Sequence, residues 1–186
     1  MNTPSHCILN LAILDQGSLK GCTWPIFFGS WLPDAAIFLF YGWAKAIGLP
    51  EAAIWNEAYY ASAWQSIFAI GNSIPLALLG LGLFLWWRRL GWAALFASAL
   101  LHQLEDLPLH HDDAHQHFWP FSDYRFVSPV SYWDPAEFGR YGALAELTLA
   151  LVASFILWRR VRSRRVRGAL ILINGLYLVG YWQFYW

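Results

Sequence analysis

Charge is what this sequence has least of: charged side chains make up 13% of its 186 residues, against roughly a quarter in an ordinary soluble domain. So small a number excludes a water-facing surface of the usual kind. The formal net charge is zero, which gives nothing to a nucleic-acid partner. There are only two cysteines, Cys7 and Cys22. Their spacing is neither a metal nor a redox motif, and the sequence leaves a disulfide between them open. The first residues lack the basic flank and small-residue cleavage site of a signal peptide, so residues 1–23 are read as part of the mature protein. Internal repeats and low-complexity linkers are missing too, so residues 1–186 read as a single integral membrane domain.

What is abundant is apolar: 58% of the residues are hydrophobic and 19% aromatic. A bilayer's hydrocarbon core takes about 20 apolar residues per helix, and five stretches qualify, at about 24–48, 67–87, 91–108, 141–158 and 168–186. The expected fold is therefore an all-α polytopic membrane bundle of about five transmembrane helices. Residues 4–14 are too short to cross and are expected as a re-entrant or interfacial helix. Trp119, Phe121, Tyr124, Phe126, Tyr132 and Trp133 suit a loop lying on the bilayer, because aromatic rings favour the membrane–water interface.

Basic residues orient the bundle. Eight of the twelve fall in two short loops, Arg88-Arg89 and the run from Arg159 to Arg167, and both loops are expected in the cytoplasm. The His- and Asp-rich loop at about 109–140 then lies on the outer side. Counting helix rise puts Asp34 ~18 Å above the start of its helix near Gly21, His102 ~17 Å above Gly91, Asn72 ~24 Å above Arg88 and Glu146 ~20 Å above Arg159. Four helices thus bring polar groups to similar depth, and intramembrane charges are costly enough to mark function.

Five of the six histidines lie between His102 and His117. His102, Asp106 and His110 are spaced i, i+4, i+8 and share one helical face if the helix continues past Pro108. Imidazole with carboxylate suits zinc first, or iron and manganese if more oxygens join. His111, Asp112, Asp113, His115 and His117 form a second group that could complete the ligand set, support it by hydrogen bonding, or hold a second ion.

The segments Asn2-Thr3-Pro4-Ser5-His6, Gly29-Ser30-Trp31-Leu32-Pro33-Asp34, His102 to Asp106, and Phe118-Trp119-Pro120-Phe121-Ser122 resemble, in order and approximate spacing, the membrane-bound metal-dependent hydrolases of the LexA-regulated inner-membrane (YdjM-like) family. The resemblance covers about two-thirds of the chain. By position it implies that His6, Asp34, His102 and Asp106 ligate a divalent metal. Where that family carries His-Arg-Gly-x-x-His-Ser, this chain reads Phe68-Ala-Ile-Gly-Asn72-Ser73, so Asn72 replaces a histidine, and His110, His111 or His117 is expected to compensate. The implied function is a metal-dependent hydrolase acting on an ester or phosphoester of a lipid-like or amphipathic substrate, with Asp112, Asp113 or Glu146 as general base. A non-catalytic metal-binding or metal-transfer protein and a proton-coupled transporter are the alternatives. Membrane lipid is the expected surrounding. Substrate identity and oligomeric state are not legible.

Overall fold

The structure, a computed structural model, describes residues 1–186 and is all-α. Its nine α-helices are α1 (Thr3–Leu14), α2 (Thr23–Trp31), α3 (Ala35–Ala46), α4 (Glu51–Asn56), α5 (Ser62–Gly71), α6 (Ile74–Trp86), α7 (Leu90–Asp106), α8 (Gly139–Arg160) and α9 (Arg164–Tyr185). Residues 107–138 form an irregular loop that ends in one short 3-10 turn.

Prolines set the breaks. Pro33 stands where α2 gives way to α3, and the two axes bend by 53° there. Between α5 and α6 the chain turns at Asn72-Ser73. Ser73 caps α6 by accepting from the Leu76 backbone N–H at 3.2 Å, with proline in the first turn, where the missing N–H costs nothing. The uninterrupted 24–48 helix expected from the sequence is therefore two helices: Leu32 is still helical, at φ −57° and ψ −42°, but Pro33 has no N–H with which to continue the hydrogen-bond ladder.

Two segments are long and apolar enough to cross a membrane, Ser62–Trp86 and Gly139–Arg160, and the bent α2–α3 pair makes a third if counted as one span. By length and composition the five expected crossings thus reduce to two or three: α7 is only 17 residues long, and α9 opens on Arg164, Arg165 and Arg167. Membrane association follows from the surface as well. Leu78, Leu79 and Leu83 of α6 and Ile171, Leu172 and Leu176 of α9 all point outward, a continuous apolar exterior that water would not tolerate.

Inside, the bundle is unusually polar. Ser5, His6, Asn10, Ser30, Ser98, His102, Gln103 and Asp106 are all essentially inaccessible. Close helix approach makes this possible: a Cβ on Gly29 of α2 would meet the Leu95 carbonyl oxygen of α7 at 2.1 Å. Small residues allow such contacts where helices associate without water to drive them. α1 is not a surface helix. It packs between α2 and α8 and also touches α7, with Asn10 donating to the Ser98 carbonyl at 2.8 Å and to the Ser98 hydroxyl at 2.9 Å.

Candidate metal centre

The centre forms where α1, α7 and the α2–α3 bend meet. His6 comes from the second turn of α1, His102, Glu105 and Asp106 from the last turns of α7, Asp34 from the start of α3. The His6 and His102 rings stack with centroids 3.6 Å apart and planes 17° from parallel.

Each ring has one nitrogen occupied by an acceptor. His102 Nδ1 lies 2.7 Å from the Ser30 carbonyl oxygen, which can only accept, so Nδ1 carries the proton. His6 Nδ1 lies 2.6 Å from Glu105 Oε2. Both rings then turn Nε2 toward one carboxylate: His6 Nε2 is 3.0 Å from Asp106 Oδ1, and His102 Nε2 is 3.0 Å from Asp106 Oδ2 and 3.5 Å from Asp34 Oδ1. His102 Nε2 is buried without a hydrogen-bond partner. A lone pair aimed at two carboxylates is satisfied only by a positive centre, a proton of its own or a metal ion. Two protonated rings stacked at 3.6 Å would repel, which favours the ion. A ligating imidazole fixed through its other nitrogen by a carboxylate or carbonyl is the usual support for a metal site.

His6, His102 and Asp106 bring one ligand atom each within 4.8 Å of the others, and so do Asp106, His110 and His115. Asp106 belongs to both triads. The residues present therefore fit a divalent ion. Asp106 also accepts from the Met1 amino group, which lies 3.4 Å from His110 Nε2. Thr3 Oγ1 donates to Asp34 Oδ2, fixing that carboxylate at the rim.

The loop folds back over this cluster. α7 stops at Asp106, short of Pro108, so the expected helical face does not persist, yet the turn returns His110 Nε2 to 3.3 Å from Asp106 Oδ1. Burial disfavours the charged His110 ring, but Asp106 outweighs it and the pKa rises to about 8. His115, buried beside His110 with ring centroids 4.8 Å apart, is pushed down to about 3 by burial and by the His110 charge. Asp113 is held below the ordinary carboxylate range: burial opposes this, and His110, 3.0 Å away, prevails.

Other residues expected at the site lie apart from the triads. His111 is part-exposed, its Nδ1 on the Ser128 carbonyl at 2.6 Å and its Nε2 3.8 Å from Glu137. His117 Nδ1 donates to the Asn72 carbonyl at 3.1 Å, and burial lowers its pKa. The Asn72 side chain bonds Phe68 of its own helix. Glu146 is buried at the start of α1, where Oε1 accepts from the Asn2 backbone at 2.9 Å, the Asn2 amide at 3.0 Å and Ser5 Oγ at 2.6 Å. Asp112 lines the cavity that opens from the cluster. His115, expected in the second group of the loop, falls in the Asp106–His110–His115 triad. Glu105 was not expected at the site; its signal was adjacency to Asp106, too weak to separate it from its neighbours. Cys7 and Cys22 are both free thiols.

Comparison with protein-family models, curated proteins and solved structures finds no match to this chain. Its geometry stands alone: a buried His/Asp cluster able to chelate a divalent ion, in an all-α protein with membrane-length helices.

Proposed function

We propose that the protein is a metal-dependent membrane hydrolase that cleaves an ester or phosphoester of an amphipathic substrate, of the kind its resemblance to the YdjM-like hydrolases implies. One observation carries this reading: His6 and His102, each with Nδ1 engaged by an acceptor, both direct Nε2 at Asp106. His6, His102 and Asp106 would hold the ion, with Asp34 as the fourth side chain. His110 and His115 share Asp106 with that set and give room for a second ion. Zinc suits these nitrogen and oxygen donors, with iron and manganese next.

A bound ion would lower the pKa of a water to near 7 and polarise the substrate oxygen. The chain does the rest. Asp113, tied to His110 at 3.0 Å, is placed to accept the proton of the attacking water. The new bond joins the water oxygen to carbon or phosphorus, the bond to the alkoxide breaks, and Asp113 passes the proton it took from the water to the leaving oxygen. Glu105 and the Ser30 carbonyl keep both ligand rings in register, and burial of His6, His102 and Asp106 excludes other water. The arginine-rich loops would face the cytoplasm and the histidine loop the periplasm.

Elemental analysis of purified protein, paired with turnover of p-nitrophenyl and bis-p-nitrophenyl phosphate and carboxylate esters, tests this. Stoichiometric metal, with metal and turnover both lost in His102→Ala and turnover lost in Asp34→Asn, is the expected result. A folded protein without metal would defeat the reading. Stoichiometric metal with no turnover on any ester would leave a metal carrier instead.

A further inference from the structure

A cavity of about 1390 Å³ opens from the metal cluster and runs away from it along α1. Three helices line the stretch along α1, each with a single face, with Leu157 of α8 beside them, and Ile37, Phe38, Trp55, Tyr59 and Tyr60 complete the apolar wall. α1 offers Pro4, Cys7, Ile8 and Leu11, α2 offers Trp24, Phe27 and Trp31, and α9 offers Val166, Ala169, Leu170 and Ile173. In α1 and α9 these positions are spaced i, i+3, i+4, i+7, the signature of one helical stripe. Since α1 packs between α2 and α8, and α9 lies against α8, the three stripes make a trough. From Pro4 to Leu11 it extends about two turns, ~11 Å, along α1.

Its two ends differ in kind. Near the start of α1 the lining is Thr3, Asp34, His110, Asp112, Asp113 and His115, the rim of the candidate metal centre. At the other end Arg160 donates to the Ala12 carbonyl at 2.8 Å and to Gln16 at 3.2 Å, closing α1 off, and α9 begins with its arginines. A complementary occupant therefore has one polar end that hydrogen-bonds or ligates, and one unbranched apolar body of limited length. The volume exceeds the roughly 300–1,000 Å³ of ordinary small-molecule pockets.

We propose that this trough takes an acyl chain of a membrane lipid whose ester or phosphoester end lies at the His/Asp cluster, so that α1, α2 and α9 gauge chain length. The placement of the head rests on the hydrolase reading above. The placement of the chain rests on the trough alone.

The test uses full-length protein in liposomes containing a small fraction of phosphatidylcholine with a photoactivatable diazirine near the end of one ten-carbon chain. After illumination, labelled residues are mapped by mass spectrometry. The expected result is labelling concentrated on Leu11, Trp24 and Val166, lowered at least fivefold by Ala169→Trp and by Cys7→Phe, with unlabelled ten-carbon lipid competing better than sixteen-carbon lipid. Labelling spread over outward residues such as Leu79 and Leu172, with the trough no richer than they are, would overturn the proposal, since that pattern is the surrounding bilayer. So would trough labelling that neither variant changes. Trough labelling without ester turnover upholds the acyl site and removes the hydrolase reading. Turnover without trough labelling does the reverse.

Discussion

The imidazole of His6 lies flat against that of His102, ring centroids 3.6 Å apart, and this stack couples the first helix of the chain to the seventh. Neither ring is free to turn, because Glu105 holds one and the Ser30 carbonyl the other. The pair therefore presents its two Nε2 atoms to Asp106 from fixed directions.

Glu105 acts through His6. Glu105→Gln should weaken metal binding about 10- to 100-fold, the usual effect of losing a ligand's hydrogen-bonded support, with helix content unchanged. Competitive titration against a chromophoric chelator, alongside circular dichroism, measures both. Unaltered affinity would remove Glu105 from the site.

Metal uptake should also release a proton. In the metal-free protein the His110 pKa is about 8, so near neutral pH the ring is charged, and a ligand must be neutral. Affinity at the Asp106, His110 and His115 triad should rise by up to about tenfold per pH unit below that value and level off above it. His115, neutral down to about pH 3, adds no slope near neutrality. Calorimetry in buffers of different ionisation enthalpy counts the proton, and His110→Gln should abolish it.

Gly29→Ala should damage stability and site together. The added methyl meets the Leu95 carbonyl oxygen at 2.1 Å, and overpacking of this kind costs about 1–3 kcal/mol. Since Ser30 is the next residue, the shift also loosens its carbonyl from His102. A lowered unfolding temperature in detergent with reduced metal content is expected. Gly82→Ala, where nothing lies within 4 Å of the new carbon, serves as the control.

Glu146 accepts three hydrogen bonds from the first residues of α1. Glu146→Ala removes the acceptor shared by exposed Asn2 and buried Ser5, whose hydroxyl keeps only Tyr177 at 3.0 Å, so it should destabilise the protein by about 1 kcal/mol and shift α1. Glu146→Gln keeps an acceptor oxygen and should retain most of the metal. If Glu146→Gln kept full metal and native stability but lost all turnover, Glu146 would be a general base rather than an anchor for α1.

Much of this was legible in the sequence. Long apolar runs located the helices, and i, i+4 spacing put His102 beside Asp106. Helix rise counted from the start of each helix brought Asp34 to the depth of His102, and the two lie 3.5 Å apart. The same count put Asn72 and Glu146 in that layer. Depth says nothing of azimuth, however: Asn72 bonds its own helix, and Glu146 meets α1 on another side. Continuous helices were expected where Pro33 and Ser73 break them, because apolar composition hides a turn whose polar groups are satisfied locally. The role of Glu105, and the choice of His115 from among its loop neighbours, depend on how α1 and the loop pack on α7, which local spacing cannot convey.

Placing His6 on α1 and its partners on α7 has a temporal consequence. During synthesis α1 is made long before Glu105 and Asp106 exist to receive its imidazole. That ring must wait until α7 arrives. Loading with an ion would then fasten early and late segments to each other, making occupancy a signal that insertion has been completed.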